Sequence, residues 1–423
     1  MDFPRLPFQH ACAVLSLVVC ALSSASADES KNQDPPASNV SAFCRGLLSA
    51  LASDRAEGID LKSLDFGLDQ QRAKSSEYSQ NGGIGCDLPV RDQKSYGSCW
   101  AQAGLRFFEN RAARATGRYV ELSDDYMIAM NLYDQAMQEI AKPRLKTVRM
   151  PTGATLEVIS PLSQGAGLDA VAILGAQYGF VPKAVWSSKI PFTTSGIAAK
   201  KFLFLLTVLT QSVAQEYQEH RISGKHASSE ILRFIQSVTG PLPFRFDFEG
   251  RSYNAVEFYE SPQYRRNSSK GEFVGRMHLQ RADFSANSRS DSARRMKMAI
   301  KKQIDETGEP VELAIIMQRL FLDEEKGILS IPYFLDVPEQ VSQMRYFATQ
   351  GDFSNESSHA MLVTDYTLDS QGNVDRLLAL NSWGEKWGQN GTVEILPTYF
   401  EEYAQSIRVL KGMAEEFMPK RAP

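Results

Sequence analysis

The order of helix and strand signals along the chain is the feature that most constrains its fold. Apolar residues recur at helical spacing from Cys99, where Ser98 is expected to cap the first turn, to Gly117, and again after Ser123. Alternating apolar residues gather in the last third, over residues 311–317, 359–366, 376–381 and 392–396. Helices in the first half and strands in the last third predict an α+β fold.

The middle of the chain carries mixed signals. Helices are predicted for residues 168–178, 198–220, 229–238 and 292–307, strands for 241–259, and a polar, loop-rich segment for 261–292. The apolar run 202–209 follows Lys200 and Lys201 and is too short to cross a bilayer comfortably. It therefore predicts a buried helix and no stable membrane span.

The N-terminus has the features of a secretory signal peptide. A short apolar stretch over residues 11–22 is followed by Ser24-Ala25-Ser26-Ala27, a small-residue cleavage site. We therefore expect residues 1–27 to be a signal peptide, 28–85 an N-terminal extension or short pro-segment, and 86–423 the main domain. The mature protein is expected to be secreted or periplasmic.

Export bears on how the cysteines pair. Cleavage would remove Cys12 and Cys20 and leave Cys44, Cys86 and Cys99. An odd count in an exported chain predicts one disulfide, between Cys44 and Cys86, and a free thiol at Cys99. The alternative is that Cys44 and Cys86 are reduced and buried.

The charge balance argues against one class of partner. The 423 residues carry a net charge of −4, with 23% charged residues. No block of lysine or arginine stands out, which disfavours a nucleic-acid partner.

Cys99 is the candidate nucleophile. The positive end of a helix dipole and a neighbouring imidazolium both lower a thiol pKa, so a thiolate–imidazolium pair is expected at rest. A buried structural cysteine is the alternative reading of a single thiol.

His359 and Asn381 are the candidate base and its orienting partner. His359 begins an apolar strand, and Asn381 ends the next strand 22 residues later (381 − 359), as in a hairpin that brings both to one edge. His359 would accept the thiol proton and later donate it to a leaving amine, while the Asn381 amide oxygen fixes the imidazole tautomer. Trp383 is expected to cover that hydrogen bond.

Gln93 is the candidate oxyanion donor. Its side-chain amide precedes Cys99 by six residues (99 − 93), and the backbone N–H of Cys99 would supply the second hydrogen bond.

These residues resemble, in identity and order, those of the papain-like cysteine peptidases. The matching positions are Gln93, Gly97-Ser98-Cys99-Trp100, His359, Asn381-Ser382-Trp383-Gly384 and Trp387-Gly388. The resemblance covers residues 88–183 and 296–400. It implies a two-lobed fold, with a helical lobe, a β-barrel lobe and an active-site cleft between them.

The resemblance also implies a chemistry. It implies hydrolysis of peptide bonds in a peptide or protein substrate through a thioester, without a metal or an organic cofactor. Gly165, Ala166 and Trp383 would contact the substrate.

Three departures from the family pattern matter. Tyr96 stands where many relatives have a cysteine, so a familiar disulfide is absent. Ala166 replaces the second glycine of a pair and is expected to place a methyl group where substrate backbone lies. Residues 184–292 form a long insertion.

Two other functions remain compatible with these residues. The same thioester could pass its acyl group to an amine, as in a ligase or a transglutaminase-type enzyme. An occluded cleft with a long insertion would suit a binding or scaffold protein.

Overall fold

The computed structural model describes residues 89–149, 153–264, 276–278, 286–331 and 356–417. The expected signal peptide, the segment 28–85 and the Cys44–Cys86 bond lie outside these ranges and stay predictions.

Helices dominate the first half of the described chain, as the apolar spacing predicts. They are α1 (Cys99–Thr116), α2 (Asp124–Ala141), α3 (Ala170–Tyr178), α4 (Ile197–Gln218), α5 (Gly224–Thr239) and α6 (Ala255–Tyr259). Two hairpins interrupt them, formed by β1 (Leu145–Arg149) with β2 (Thr155–Ile159), and by β3 (Arg245–Phe248) with β4 (Arg251–Asn254).

An eight-stranded sheet forms the second half. Its strands are β5 (Arg276–His278), β6 (Val311–Gln318), β7 (Leu322–Asp323), β8 (Ile328–Leu329), β9 (Glu356–Leu368), β10 (Val374–Leu380), β11 (Thr392–Ile395) and β12 (Ala404–Arg408). The spatial order is β5-β12-β6-β9-β10-β11-β8-β7, and every pair is antiparallel except β11 with β8. Helices α7 (Ala286–Thr307) and α8 (Pro397–Tyr403) accompany the sheet.

Two separate hydrophobic cores correspond to the two kinds of element. One core is built mainly on α1 to α6 and includes Trp100, Tyr126 and Phe202. The other lies between the sheet and helices α7 and α8 and includes Ile300, Leu313 and Tyr399. The α+β class and the two-lobed organisation are thereby confirmed, with one lobe around each core.

Helix α1 starts at the predicted residue, but its cap differs from the expectation. The Ser98 side chain makes no capping hydrogen bond, and its backbone has φ −103° and ψ 17°, outside the extended region that a capping side chain requires. The buried hydroxyl of Ser98 lies 3.4 Å from Nε2 of Gln102 instead. Ser123 does cap α2, accepting from the Tyr126 N–H.

The insertion after residue 184 differs from its sequence prediction at two places. Of the region 241–259 expected to form strands, only residues 245–248 and 251–254 do so, as a hairpin. Helix α6 follows because Asn254 and Glu257 make a reciprocal capping box. Helix α7 begins at Ala286, inside the segment expected to be loop-rich, and β5 also lies there.

Gly179 sets how closely the insertion approaches the helical lobe. It has a φ of 84°, and a Cβ built there would lie 1.9 Å from the backbone carbon of Ala255 at the start of α6. The next residue, Phe180, donates its N–H to the Ala255 carbonyl at 3.0 Å. Only glycine combines this conformation with this contact at no steric cost.

Helix α4 is buried on one face only. Phe202, Leu206 and Val213 belong to the helical core, whereas Phe204 is 65% exposed and Val208 51% exposed. Within the described residues α4 is the one helix long and apolar enough to cross a membrane, by length and composition alone. The prediction of a buried helix is therefore right for its inner face and wrong for its outer face.

Some elements gave no usable sequence signal. Strand β1 is exposed along its whole length and β2 along most of it, so no alternation of burial marks them. The sequence analysis predicts no element over residues 397–408, although Pro397 occupies the first turn of α8, where proline is favoured.

Candidate active site

Cys99 lies at the first position of α1 and is half-buried. Against the effect of burial, the backbone N–H groups of Ala360 and Trp100 act on its thiol in the direction that favours the thiolate and lowers the pKa. Ala360 is the residue after His359, and helix α1, which begins at Cys99, packs against strand β9. The first N–H groups of a helix have no partner within it and point at this position.

His359 and Asn381 are brought together by the register of the sheet. Strand β9 pairs with β10, with Leu362 opposite Leu380, and Asn381 follows directly after β10. Nε2 of His359 lies 2.7 Å from Oδ1 of Asn381, and both side chains are buried.

The amide of Asn381 is oriented by a second contact. Its Oδ1 also accepts the backbone N–H of Ser382 at 2.7 Å, which requires oxygen at that position. Nε2 of His359 must therefore carry the proton it donates. Nδ1 of the neutral ring is left with its lone pair to act as a base.

Trp383 covers the imidazole. The centroids of the Trp383 and His359 rings lie 4.9 Å apart at 38°, and Trp387 packs edge-on to Trp383 at 4.9 Å. The indole thus shields one side of His359 and of its hydrogen bond to Asn381, as the sequence predicts.

Gln93 is held at both ends of its side-chain amide. Oε1 accepts from the Ser382 hydroxyl at 2.5 Å, and Nε2 donates to the Tyr96 carbonyl at 3.0 Å. One of the two Nε2 hydrogens is engaged by Tyr96, so one remains to donate to an oxyanion.

The substrate-side wall is tied to the loop before Cys99. Oε1 of Gln164 accepts the Gly97 N–H at 2.8 Å, and the Gln164 carbonyl accepts from the Trp100 indole at 2.9 Å. Gly165 is exposed and Ala166 is half-buried, packed against the helical core. The Ala166 side chain is thus partly turned into the protein, and its expected effect on substrate pairing stays a prediction.

A buried ion network supports the segment that carries Gln93. The Arg91 guanidinium pairs with Glu109 and donates to Oε1 of Gln102 at 3.1 Å and to the Leu122 carbonyl at 2.8 Å. A buried charge is costly unless it is paired, so these contacts hold Arg91 against α1 and the segment before α2.

The same segment is joined to the sheet lobe through its backbone. The Gln93 N–H donates to the Ser382 carbonyl at 2.8 Å, and the Gly384 N–H donates to the Arg91 carbonyl at 3.1 Å. Residues 91–93 and 382–384 therefore connect the two lobes beside the site.

The protonation state differs from the sequence expectation. Burial raises the pKa of the Cys99 thiol above its usual value, although N–H groups of Ala360, Trp100 and Cys99 oppose the effect. Burial lowers the pKa of His359 to about 4, and the hydrogen bond to Asn381 opposes that shift. These directions favour a neutral thiol and a neutral imidazole at rest, because desolvation penalises both charged forms. The expected thiolate–imidazolium pair is not favoured.

The structure thus brings Gln93, His359, Asn381 and Trp383 together at one sheet edge, and Gln164 ties the segment of Gly165 and Ala166 to the loop before Cys99. Sequence reasoning assigned no role to Arg91, Gln164 or Ser382. Ser382 was part of the Asn-Ser-Trp-Gly motif, but neither of the other two stood out. Among the described residues, no group of three His, Cys, Asp or Glu side chains is placed to hold a metal ion.

Comparisons with known proteins point to one family. The model of the Peptidase C1-like family matches residues 296–421. Aminopeptidase C of Streptococcus thermophilus is 24% identical over 384 residues, spanning 77% of this chain and 82% of the relative. Aminopeptidase C of Lactococcus lactis subsp. cremoris is 21% identical over 364 residues, spanning 78% of this chain and 82% of the relative.

A solved structure shares the fold. The crystal structure of PepW from Lactobacillus rhamnosis superposes with a TM-score of 0.60 at 15% identity, covering 98% of this chain and 93% of that one.

Proposed function

Because the chain belongs to the papain-like, C1-type cysteine peptidases, we propose that it hydrolyses peptide bonds through a thioester formed on Cys99. One observation carries the proposal: helix α1, which begins at Cys99, packs against strand β9, which carries His359, and Nε2 of His359 is hydrogen-bonded to Oδ1 of Asn381.

The first half of the reaction forms the acyl-enzyme. Nδ1 of His359 takes the thiol proton as the Cys99 sulfur attacks the scissile carbonyl carbon. The carbonyl oxygen becomes an oxyanion that accepts hydrogen bonds from the Cys99 N–H and from Nε2 of Gln93. Collapse of this intermediate breaks the C–N bond, and His359 delivers its proton to the departing amine.

The second half returns the enzyme to its starting state. His359 removes a proton from water as the water oxygen attacks the thioester carbonyl. The C–S bond breaks, the carboxylic acid leaves, and the sulfur recovers the proton from His359. The hydrogen bond to Asn381 holds His359 in the tautomer whose Nδ1 acts as the base through both halves.

Covalent labelling tests the nucleophile. An epoxysuccinyl peptide probe should label the wild-type protein on the tryptic peptide that contains Cys99, and should leave Cys99→Ser unlabelled. The full chain also contains Cys12, Cys20, Cys44 and Cys86, which are the other thiols that the probe could label. Equal labelling of the wild type and of Cys99→Ser would show that the probe reacts elsewhere, and would contradict the proposed role of Cys99.

Aminopeptidase action is a second candidate. Two relatives that each span 77–78% of this chain are named Aminopeptidase C. A peptide with a free N-terminus and its N-acetylated twin separate the possibilities. Cleavage of the free peptide alone supports aminopeptidase action, whereas equal cleavage of both supports an endopeptidase.

We propose further that the protein acts outside the cytoplasm. The apolar stretch and the site after Ala27 are the basis of this proposal. N-terminal sequencing of the protein from its native host should give Asp28 as the first residue. A chain that retains Met1 would contradict the proposal.

A further inference from the structure

Four aromatic rings form a column between the loop before Cys99 and the insertion. The ring of Tyr96 lies 5.7 Å from Phe192, Phe192 lies 5.5 Å from Phe202 of α4, and Phe202 stacks on Phe234 of α5 at 5.7 Å, measured between centroids. The first three rings are buried and Phe234 is partly buried. Three of the four therefore belong to the long insertion.

Tyr96 is the point where this column meets the candidate oxyanion donor. Its carbonyl accepts the Ser98 N–H at 2.8 Å and Nε2 of Gln93 at 3.0 Å. The Ser382 hydroxyl holds the opposite end of the Gln93 amide. Movement of the Tyr96 backbone would therefore turn the Gln93 amide while leaving its Ser382 contact in place.

The ring of Tyr96 is the buried side-chain anchor of residues 94–97. Lys94 and Ser95 are exposed, and Gly97 has no side chain to bury. Tyr96 is 3% exposed and packs on Phe192, whose own N–H donates to Oδ1 of Asp125 at 3.0 Å. Among the described residues Cys99 is the one cysteine, so a disulfide within that part of the chain does not hold the loop.

We propose that the insertion positions the oxyanion donor: Phe192 holds Tyr96, and Tyr96 holds the amide of Gln93. Tyr96 and Phe192 are positioning residues, since each acts through another group. The proposal rests on the proposed function, in which Gln93 stabilises the oxyanion. It gives residues 184–292 a part in the chemistry although they lie outside the residues that react.

Two reagents separate the oxyanion donor from the nucleophile. A peptide aldehyde adds to the Cys99 thiol, and the oxygen of the resulting hemithioacetal occupies the oxyanion position. Iodoacetamide is attacked at a saturated carbon and loses iodide, so its reaction places no oxyanion there. The ratio of aldehyde affinity to alkylation rate therefore reports on the Gln93 amide rather than on folding or on the thiol.

Phe192→Ala should weaken aldehyde binding and lower kcat, each by roughly tenfold, because a small misplacement of the Gln93 amide is costly in a preorganised site. The alkylation rate and KM should stay within about twofold of wild type. Phe192→Leu keeps an apolar side chain without the ring. It should also weaken aldehyde binding and lower kcat without changing the alkylation rate, but by a smaller factor. Phe246→Ala is the matched control. It removes a buried phenylalanine of the same insertion whose ring neighbours are Tyr253 and Phe258, and it should leave the ratio unchanged.

Gln93→Ala fixes how each result is interpreted. If Gln93→Ala weakens aldehyde binding and Phe192→Ala does not, the positioning proposal is overturned and the proposed function stands. If Gln93→Ala leaves aldehyde binding intact, the oxyanion role in the proposed function fails. A parallel loss of aldehyde affinity and alkylation in Phe192→Ala, or an equal ratio change in Phe246→Ala, also overturns the proposal. Should Phe192→Ala fail to fold, Phe192→Leu decides by the same ratio.

Discussion

His359 and Asn381 are placed by strands of one continuous sheet, whereas Gln93 and the loop before Cys99 are placed by single backbone and side-chain contacts to distant parts of the chain. On the base side, β6, β9 and β10 are adjacent strands, and His359 itself pairs with Ile315. On the nucleophile side, residues 93–98 form a loop held by Gln164, Ser382 and Phe192.

This difference between the base side and the nucleophile side indicates how substitutions on each side should affect the reaction. The base side is buried and hydrogen-bonded within a continuous sheet, so a substitution there alters orientation and protonation of one ring. The nucleophile side is half-exposed at Cys99 and depends on several single contacts. Each of those contacts is a separate place at which the reaction could be slowed.

Removing a reacting group should have the largest effect and should not distinguish the two sides. Cys99→Ala and His359→Ala are each expected to lower kcat by roughly 10⁴- to 10⁶-fold, because nucleophile and base act as one unit. The double variant should be no slower than either single one. Steady-state hydrolysis of a fluorogenic peptide measures this, and a multiplicative loss in the double variant would show that the two residues act independently.

Gln93→Ala should lower kcat by about 10²- to 10³-fold through loss of one oxyanion donor. Gln93→Glu is the sharper companion. It keeps an oxygen for the Ser382 hydroxyl but, when ionised, has no hydrogen to donate. The two variants should be equally slow in the same peptide assay. Near-wild-type activity in Gln93→Glu would mean that the amide donor is not used.

Burial of His359 should make stability pH-dependent on the base side. The ring has a folded pKa of about 4, against an unfolded value of about 6.5. Between these values the unfolded chain binds more protons, so the free energy of unfolding falls as pH drops through this window and is restored above about pH 6.5. Between pH 7 and 4.5 the wild type should lose about 2 kcal/mol more than His359→Gln. Urea titrations at both pH values measure this, and equal losses would place the folded pKa near its unfolded value.

Asn381→Ala should lower kcat by roughly 10- to 100-fold, the size expected when a buried donor loses its acceptor. Asn381→Asp keeps an oxygen for His359 and adds a negative charge. It should therefore lose less activity and raise the His359 pKa, measured by NMR titration of the ring protons. A larger loss in the aspartate variant than in the alanine variant would contradict the orienting role of Asn381.

The sequence predicted the base side better than the nucleophile side. The strands that carry His359 and Asn381 followed from the alternation and spacing of apolar residues. The register of a hairpin then predicts that the two side chains meet at one edge. The helix beginning at Cys99 also followed from apolar periodicity. The packing of Tyr96 on Phe192 did not, because no local pattern indicates which rings meet across a long insertion.

Three other predictions differ from the structure, each for its own reason. The Ser98 hydroxyl contacts the Gln102 side chain rather than capping α1. Helix α6 lies at the end of a segment whose alternating aromatic residues indicate strands, although the Asn254–Glu257 capping box is a sequence signal for a helix start. The protonation of Cys99 depends on how deeply the sulfur is desolvated, which the helix-terminus argument does not weigh.

Direct detection of the acyl-enzyme tests the central claim most directly. An activated peptide ester is mixed with the full-length protein, quenched in acid within milliseconds to seconds, and analysed by mass spectrometry of intact protein and of tryptic peptides. The account predicts one acyl group on the Cys99 peptide, released by hydroxylamine and absent from Cys99→Ser. Turnover with no acyl adduct under these conditions, or an adduct on another residue, would contradict it.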